Sequence, residues 1–338
     1  MSEDLHLDAT TGASQHHFEK KEEKEVESPW PGPKGMIPVT SGRAEDANVH
    51  NRAYLDNILV EMRILDAVEP KLETEFFGKK YASPITLAAV SHLNKVLDDK
   101  KRQPMQEKAI AAKNLNVLNW IGMETDEEYR EIVAEGGDTV RIIKPFADHE
   151  RILKEIKVAE ETGAVAVGMD IDHVPGTNGK YDVVDGINLG PVTSADLKRY
   201  VDAANVPFVA KGVLSVQDAI KARDAGVSAI VVSHHHGRLP FGVPPLKVFP
   251  AIKKALGNSK ITIFVDGSIM TGYDAYKALA LGADGVLIGR AILSELLDSG
   301  TKAVEDKVVK MNEELSELMM YTGVKDTKTF DPTVLHFN

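Results

Sequence analysis

Eight short apolar runs, separated by stretches with helical spacing, constrain the fold of this chain more than any other feature. Runs of this length and composition are typical of strands buried in a parallel sheet. They span residues 85–90, 115–120, 139–143, 164–170, 207–211, 229–233, 261–265 and 285–288. Eight β-α units predict a (β/α)8 TIM barrel. A doubly wound sheet usually has fewer strands, and no Gly-x-Gly-x-x-Gly turn follows the first run.

The remaining segments define the predicted domain organisation. A polar tail and a Pro/Gly-rich connector occupy residues 1–40, and residues 41–325 form the predicted barrel with an N-terminal helical extension over about 44–67. Residues 326–338 are expected to form a loose C-terminal tail. Further helices are predicted over 148–162, 215–225, 246–256, 272–281 and 291–321.

Composition excludes several classes of function. The 338 residues include no cysteine, which rules out disulfides, thiolate metal sites and cysteine nucleophiles. A net charge of −11 argues against a nucleic acid as the main partner. No apolar run approaches the roughly 20 residues that cross a bilayer, and the polar N-terminus has no signal-peptide core. A cytoplasmic protein that binds neither membrane nor nucleic acid is the simplest interpretation.

The sixth run leads directly into the sequence Ser-His-His-His-Gly-Arg, residues 233–238. Barrel strands deliver their following residues to the face where ligands bind, so one of these histidines is expected to be an acid-base group. In an extended segment, His234 and His236 would point opposite to His235. A His-x-His pair without a nearby carboxylate is weak support for a metal, and no metal site is predicted.

Two other strand ends carry charged residues. Asp170 ends the fourth run, where it could hold a histidine in one tautomer or simply cap a loop. Lys211 ends the fifth run, where it could meet a phosphate, stabilise an anionic ring, form a Schiff base or lie in solvent at the rim.

The ends of the last two runs give the strongest signal for a ligand. Asp266-Gly-Ser268 follows the seventh run and Gly289-Arg290 follows the eighth. Barrels often bind a phosphate with these two loops, because glycine lets backbone N–H groups approach the oxygens and arginine adds several donors. Ordinary tight turns are the alternative interpretation.

These motifs resemble the FMN-dependent α-hydroxy acid oxidase and dehydrogenase family, which includes glycolate oxidase and lactate oxidase. The C-terminal half carries the most specific matches, at 209–212, 232–238, 265–268 and 276–290. Fainter matches fall in the family's order at 41–46, 51–52, 77–78 and 83–84. The resemblance covers about residues 40–325 and implies a homo-tetramer or larger assembly.

The resemblance also implies roles for individual residues. His235 would be the active-site base with Asp170 as its partner carboxylate, and Lys211 would stabilise the anionic reduced flavin. The implied FMN-binding residues are Lys211, Ser233, Asp266, Gly267, Ser268, Gly289, Arg290 and Ala88. The residues expected to bind the substrate are Arg238, His235, Lys144 and His236.

This sequence departs from the family pattern around the substrate. His234 and His236 replace an asparagine and a small residue, and Leu239 replaces a glutamine. Lys144 stands where a tyrosine is expected, and the loop after Asp170 has no second arginine. A lost arginine should weaken binding of a 2-hydroxy acid unless Lys144, His173 or His236 substitutes.

Three hypotheses follow. The first is an FMN-dependent oxidoreductase that converts a small 2-hydroxy acid, similar to lactate or glycolate, into the 2-oxo acid. The second is an FMN barrel of the same ancestry with another reaction, such as an isomerisation, or an unfamiliar substrate. The third is a flavin-binding protein without turnover, which the combination of His235, Asp170, Arg238 and Lys211 disfavours.

Overall fold

Eight parallel strands close into a barrel in the computed structural model of this protein, as the sequence predicts. The structure describes residues 44–97, 101–176 and 179–337. The polar tail and connector predicted for residues 1–40 lie outside the described residues.

The eight barrel strands alternate with helices along the chain. The strands are β1 (Ile58–Val60), β2 (Thr74–Phe76), β3 (Lys79–Tyr81), β4 (Ile85–Val90), β5 (Asn119–Ile121), β6 (Thr139–Ile143), β7 (Ala166–Asp170), β8 (Val183–Val184), β9 (Ile187–Asn188), β10 (Phe208–Val213), β11 (Ala229–Val232), β12 (Thr262–Val265), β13 (Gly285–Ile288) and β14 (Leu335–Phe337). The α-helices are α1 (Ala47–Asp56), α2 (Pro104–Leu115), α3 (Asp126–Ala134), α4 (His149–Glu161), α5 (Ser194–Ala203), α6 (Val216–Ala225), α7 (Pro245–Leu256), α8 (Gly272–Ala280), α9 (Arg290–Ser299) and α10 (Thr301–Tyr321). The barrel order is β4-β5-β6-β7-β10-β11-β12-β13.

The barrel has one core inside the strands and another between the strands and the helices. Inside, Trp120 packs edge-on against Phe264 at 5.0 Å between ring centroids and donates its indole N–H to Thr86. Phe76, from the β2–β3 hairpin, packs against Phe264 at 4.8 Å. These aromatic side chains fill the interior near the amino ends of the strands, which leaves the opposite end for ligands.

Local capping explains where several of the helices begin. Thr125, Thr193 and Thr271 each form a capping box with the acidic residue three positions later, at the starts of α3, α5 and α8. Asp148 caps α4 in a similar way, with its side chain accepting from two backbone N–H groups. Helices α4 and α8 begin close to the predicted positions, whereas no bounds were predicted for α3 and α5.

The prediction of one helix over residues 44–67 is wrong. Helix α1 ends at Asp56, and Ile58–Val60 instead forms a strand. The strand pairs antiparallel with Leu335–Phe337, so the expectation of a loose C-terminal tail is also wrong at those residues. Helical apolar spacing is ambiguous in such a short segment, and the pairing partner lies far away in sequence.

Two other boundaries differ from prediction. The second apolar run was expected to be a strand from residue 115, but α2 continues to Leu115 and Asn116 ends it with a left-handed φ of 49°. The helix predicted over 291–321 is two helices, α9 and α10, because Gly300 has a φ of 73° between them. None of the described helices is both long enough and apolar enough to cross a membrane.

Helices α8 and α10 approach closely at Gly272, which generates a test of the packing. A Cβ at this position would overlap the carbonyl oxygen of Met311 and lie 2.6 Å from the backbone nitrogen of Leu315. Because backbone atoms cannot move aside, Gly272→Ala should lower the free energy of unfolding by about 1–3 kcal/mol. The measurement is the midpoint of urea unfolding at an unchanged slope.

Gly190→Ala is the matched control for this prediction. A Cβ at Gly190 would meet Ala147 at 3.6 Å, which is ordinary van der Waals contact. Equal midpoints for the two variants would contradict the proposed close approach of α8 and α10.

Candidate active site

A cavity lies at the carboxyl ends of the barrel strands, the face where barrel proteins bind their ligands. Its empty volume, including the part open to solvent, is about 730 Å³, within the range of small-molecule sites. The cavity is lined by Ala88, Ala89, Val90, Lys211, His235, His236, Asp266, Gly267, Ser268, Ile269, Met270, Leu287, Gly289, Arg290 and Leu293. Seven of the eight residues predicted to bind the cofactor are among them, and Ser233 is not.

One end of this cavity is built to hold an anion. The loop after β12 turns through left-handed φ values of 100° at Gly267 and 55° at Ser268. Helix α9 begins opposite this turn, and its N-cap Gly289 provides no side-chain cap for the first N–H groups. Uncapped N–H groups at a helix N-terminus favour a phosphate or carboxylate.

Arg290 adds a positive charge at the same end. It is the first residue of α9, and its Nη2 donates to the Ser268 hydroxyl at 3.3 Å. Burial lowers the pKa of Arg290 to about 10, so the guanidinium remains charged at neutral pH. A buried cation of this kind favours an anionic ligand as its counterion.

Several buried polar atoms around this end have no hydrogen-bond partner among the described residues. They are Asn51 Nδ2, His234 Nε2, both ring nitrogens of His236 and Asp266 Oδ1. Unpaired polar atoms are costly unless a ligand or water satisfies them. Donors and acceptors next to an anion site fit a ligand that carries hydroxyl groups as well as a phosphate.

A buried ion-pair group lies behind the cavity. Asp170, at the end of β7, accepts from Lys144 Nζ at 2.6 Å and from Lys211 Nζ at 2.7 Å. Burial opposes ionisation of Asp170, but the two lysines outweigh it and hold the pKa of Asp170 well below its ordinary value. Lys211 also lines the cavity, whereas Lys144 does not. Two ammonium groups therefore balance the charge of this carboxylate.

The carboxylate bonded to His235 is Asp172, and the expectation that Asp170 would hold this position is wrong in this structure. Nδ1 of His235 lies 2.9 and 3.0 Å from the two oxygens of Asp172, and 3.8 Å from Asp170 Oδ1. Burial opposes ionisation of Asp172, but the attraction of His235 lowers the pKa of Asp172 overall. Because Lys144 and Lys211 occupy both oxygens of Asp170, the next carboxylate along the loop takes its place.

Gly212 makes room for Asp172. The register of β10 shifts after Lys211, and Gly212 has a φ of 93°. A Cβ at Gly212 would clash with the Asp172 side chain, with 2.8 Å between the two Cβ atoms. At this register shift, the Lys211 ammonium group lies on one side of β10, and Gly212 leaves space for the Asp172 carboxylate on the other.

The sequence predicts that the three histidines alternate along an extended segment, and this prediction is wrong. His235 and His236 lie in a 3-10 turn with left-handed φ values of 47° and 61°, and both line the cavity. Ser233 stabilises the turn because its hydroxyl accepts from the His235 N–H at 2.9 Å. His234 accepts from the Gly237 N–H at 2.9 Å. Strained backbone of this kind clusters at functional sites.

Arg238 lies outside the lining of the cavity. Its Nη2 donates to Asp182 Oδ2 at 2.7 Å and to the Pro175 carbonyl at 2.8 Å. His173 Nε2 lies 2.8 Å from the same oxygen of Asp182, and the His173 ring packs edge-on against His235 at 5.7 Å. Burial, followed by the charges of Lys144 and Arg238, lowers the pKa of His173, which keeps this ring neutral.

Sequence reasoning missed three residues of this site. Asp172 offered a signal, because it lies two positions beyond a strand-end carboxylate. Asn51 also offered one, because it shares the buried face of α1 with Ala47 and Leu55 at helical spacing. No sequence signal identified Asp182, because this residue lies well beyond the end of β7 and a hairpin brings it back to Arg238.

Comparison with known proteins shows the family of this chain. The profile of the FMN-dependent dehydrogenase family matches residues 33–194 and 175–337. A 4-hydroxymandelate oxidase from Amycolatopsis orientalis is 29% identical, covering 84% of this chain and 88% of that protein. An L-lactate dehydrogenase from Caulobacter vibrioides is 40% identical, but over only 42% of this chain and 37% of its own. A solved mandelate oxidase with an FMN adduct has a TM-score of 0.75 at 28% identity, covering 88% and 92% of the two chains.

The fold and site define a flavin-binding (β/α)8 barrel enzyme. More particularly, this chain belongs to the FMN-dependent dehydrogenase family, and its cofactor is FMN. The uncapped start of α9, Arg290 and the unpaired polar atoms fit the phosphate and hydroxyl groups of FMN.

Replacing Arg290 tests this assignment of the phosphate end. Arg290→Met should weaken FMN binding about 30- to 100-fold, because charge-assisted hydrogen bonds contribute roughly 2–3 kcal/mol. The measurement is quenching of FMN fluorescence during titration of the apoprotein. Arg63→Met is the control, because Arg63 pairs with Glu61 and Asp331 on the surface. Equal FMN affinity in the two variants would place the phosphate elsewhere.

Proposed function

We propose that this protein oxidises a small 2-hydroxy acid to the 2-oxo acid, with His235 as the base. The observation that carries the proposal is that His235, Lys211 and the anion-binding end line one cavity. The names of the relatives, among them 4-hydroxymandelate oxidase and L-lactate dehydrogenase, support a hydroxy acid as the substrate. When bound, FMN supplies the hydride acceptor of this chemistry.

His235 would remove the proton of the substrate hydroxyl at Nε2, the ring nitrogen that does not contact Asp172. The Asp172 carboxylate accepts from Nδ1–H, which fixes the tautomer and stabilises the imidazolium once the proton is taken. Lys211, held by Asp170, would stabilise negative charge on the cofactor side of the cavity. We assign binding of the substrate carboxylate to Arg238, with Lys144 and His236 as further polar groups.

A second candidate function has a specific observation in its favour. Arg238 is paired with Asp182, and no second arginine follows β7 among the described residues of that loop. This arrangement also suits an FMN barrel with another reaction, such as an isomerisation. The two candidates differ in whether a 2-hydroxy acid reduces the bound FMN.

Anaerobic mixing with a panel of 2-hydroxy acids tests the proposal. Lactate, glycolate or mandelate should bleach the flavin absorbance without added NAD(P)H. His235→Ala should retain FMN but slow this reduction by a factor of about 10²–10⁴, the range for loss of a general base. Unchanged FMN absorbance with every acid would favour the second candidate, and unchanged reduction in the variant would show that another residue is the base.

Asp172→Asn tests which carboxylate supports the base. The variant keeps the shape of the side chain but removes the charge that stabilises the imidazolium, so reduction should slow by about 10²-fold while FMN remains bound. Asp218→Asn, in the first turn of α6 where it pairs with Lys221 rather than His235, is the control for loss of one negative charge. A normal rate in the Asp172 variant would return the supporting role to Asp170.

A further inference from the structure

We propose that Asp182 is a specificity-determining residue, because its carboxylate competes with the substrate carboxylate for Arg238. The inference rests on the proposed function, in which Arg238 binds a 2-hydroxy acid. Asp182 Oδ2 accepts from Arg238 at 2.7 Å, so the arginine already holds a carboxylate supplied by the chain.

The position of Asp182 is fixed by its backbone. Its N–H donates to the Val174 carbonyl and its own carbonyl accepts from Leu189, both at 2.9 Å. Its Oδ1 accepts from the Val183 N–H at 2.9 Å, which orients the side chain and leaves Oδ2 for Arg238 and His173. The carboxylate is therefore presented to Arg238 by a built hairpin, not by a mobile side chain.

The Asp182–Arg238 pair lies close to the proposed base. His173 contacts Asp182 through Nε2 and packs edge-on against the ring of His235. A substrate placed over His235 would thus bring its carboxylate to the neighbourhood of this pair. The Arg238 and Asp182 side chains are only 16% and 26% exposed, so a competing anion meets a partly desolvated cation.

The other cations near His235 are also paired. Lys144 and Lys211 both contact Asp170, at 2.6 and 2.7 Å. A substrate carboxylate must therefore compete with Asp182 for the charge of Arg238, whose Nη2 is already bonded, or bind without an arginine. If Asp182 competes with the substrate, removal of its charge should tighten the binding of acids relative to neutral analogues. If Asp182 only positions Arg238, its removal should weaken the binding of acids.

The test compares a non-reacting acid with its neutral analogue on the FMN-loaded protein. Phenylacetate and phenylacetamide are titrated while the flavin absorbance is followed. Asp182→Asn should tighten binding of phenylacetate about tenfold, the effect of removing one competing charge-assisted contact, and change phenylacetamide less than about twofold. Weaker binding of phenylacetate, or equal changes for the two ligands, would overturn the proposal.

Asp185→Asn is the matched control. It removes the same charge from the turn between β8 and β9, but Asp185 is 53% exposed and contacts His92 rather than Arg238. A gain for phenylacetate equal to that of Asp182→Asn would show a general charge effect and reject direct competition.

Arg238→Gln gives a second measurement, and its effect in the parent protein does not require Asp182→Asn to fold. In the parent protein it should weaken phenylacetate binding less than about threefold, because Asp182 already occupies the arginine; in the Asp182→Asn background it should remove the tenfold gain. A large loss in the parent protein would overturn the proposal. Anaerobic reduction is measured separately: its absence with all acids rejects the proposed function, whereas the titrations still decide the role of Asp182.

Discussion

The pairing of one buried carboxylate with two buried ammonium groups organises this site. Asp170, Lys144 and Lys211 come from three neighbouring barrel strands, and none of them is stable in the interior without the others. Their pairing fixes the end of β10, where the Lys211–Gly212 shift admits Asp172. Asp172 in turn holds His235. The orientation of the proposed base His235 thus depends indirectly on the salt bridges of Asp170, through Gly212 and Asp172.

The N-terminal helix completes the cofactor end of the cavity. Arg52 of α1 donates to the Ser268 carbonyl at 2.9 Å and forms a salt bridge with Asp274 at 2.7 Å. Asn51 approaches Gly267, where a Cβ would lie 2.9 Å from its side-chain nitrogen. The turn after β12 therefore has its left-handed shape supported from outside the barrel, which explains why a helix that precedes all eight barrel strands contributes to the ligand site.

The sequence predicts the barrel and most of the cofactor end because both depend on local patterns. Apolar runs define the strands, and in a barrel the residues after each run must converge on one face. Asp266 to Ser268 and Arg290 follow this rule. The identity of the carboxylate that bonds His235 cannot be predicted from this rule. The choice between Asp170 and Asp172 depends on how Lys144 and Lys211 share one carboxylate. The turn at His235 and His236 was also missed, because non-glycine residues rarely adopt left-handed φ.

The paired charges around His235 bear on how the reaction proceeds. Lys144 and Lys211 both pair with Asp170, Arg238 pairs with Asp182, and His235 pairs with Asp172. A bound substrate carboxylate would add a negative charge that competes with Asp182 for Arg238. In the proposed reaction, His235 would become a cation between Asp172 and the substrate when it takes the hydroxyl proton. The proton transfer would leave the net charge of the site unchanged, because the substrate oxygen gains the negative charge that the imidazolium balances. Asp172 would raise the rate only by stabilising the imidazolium more in the transition state than in the bound substrate.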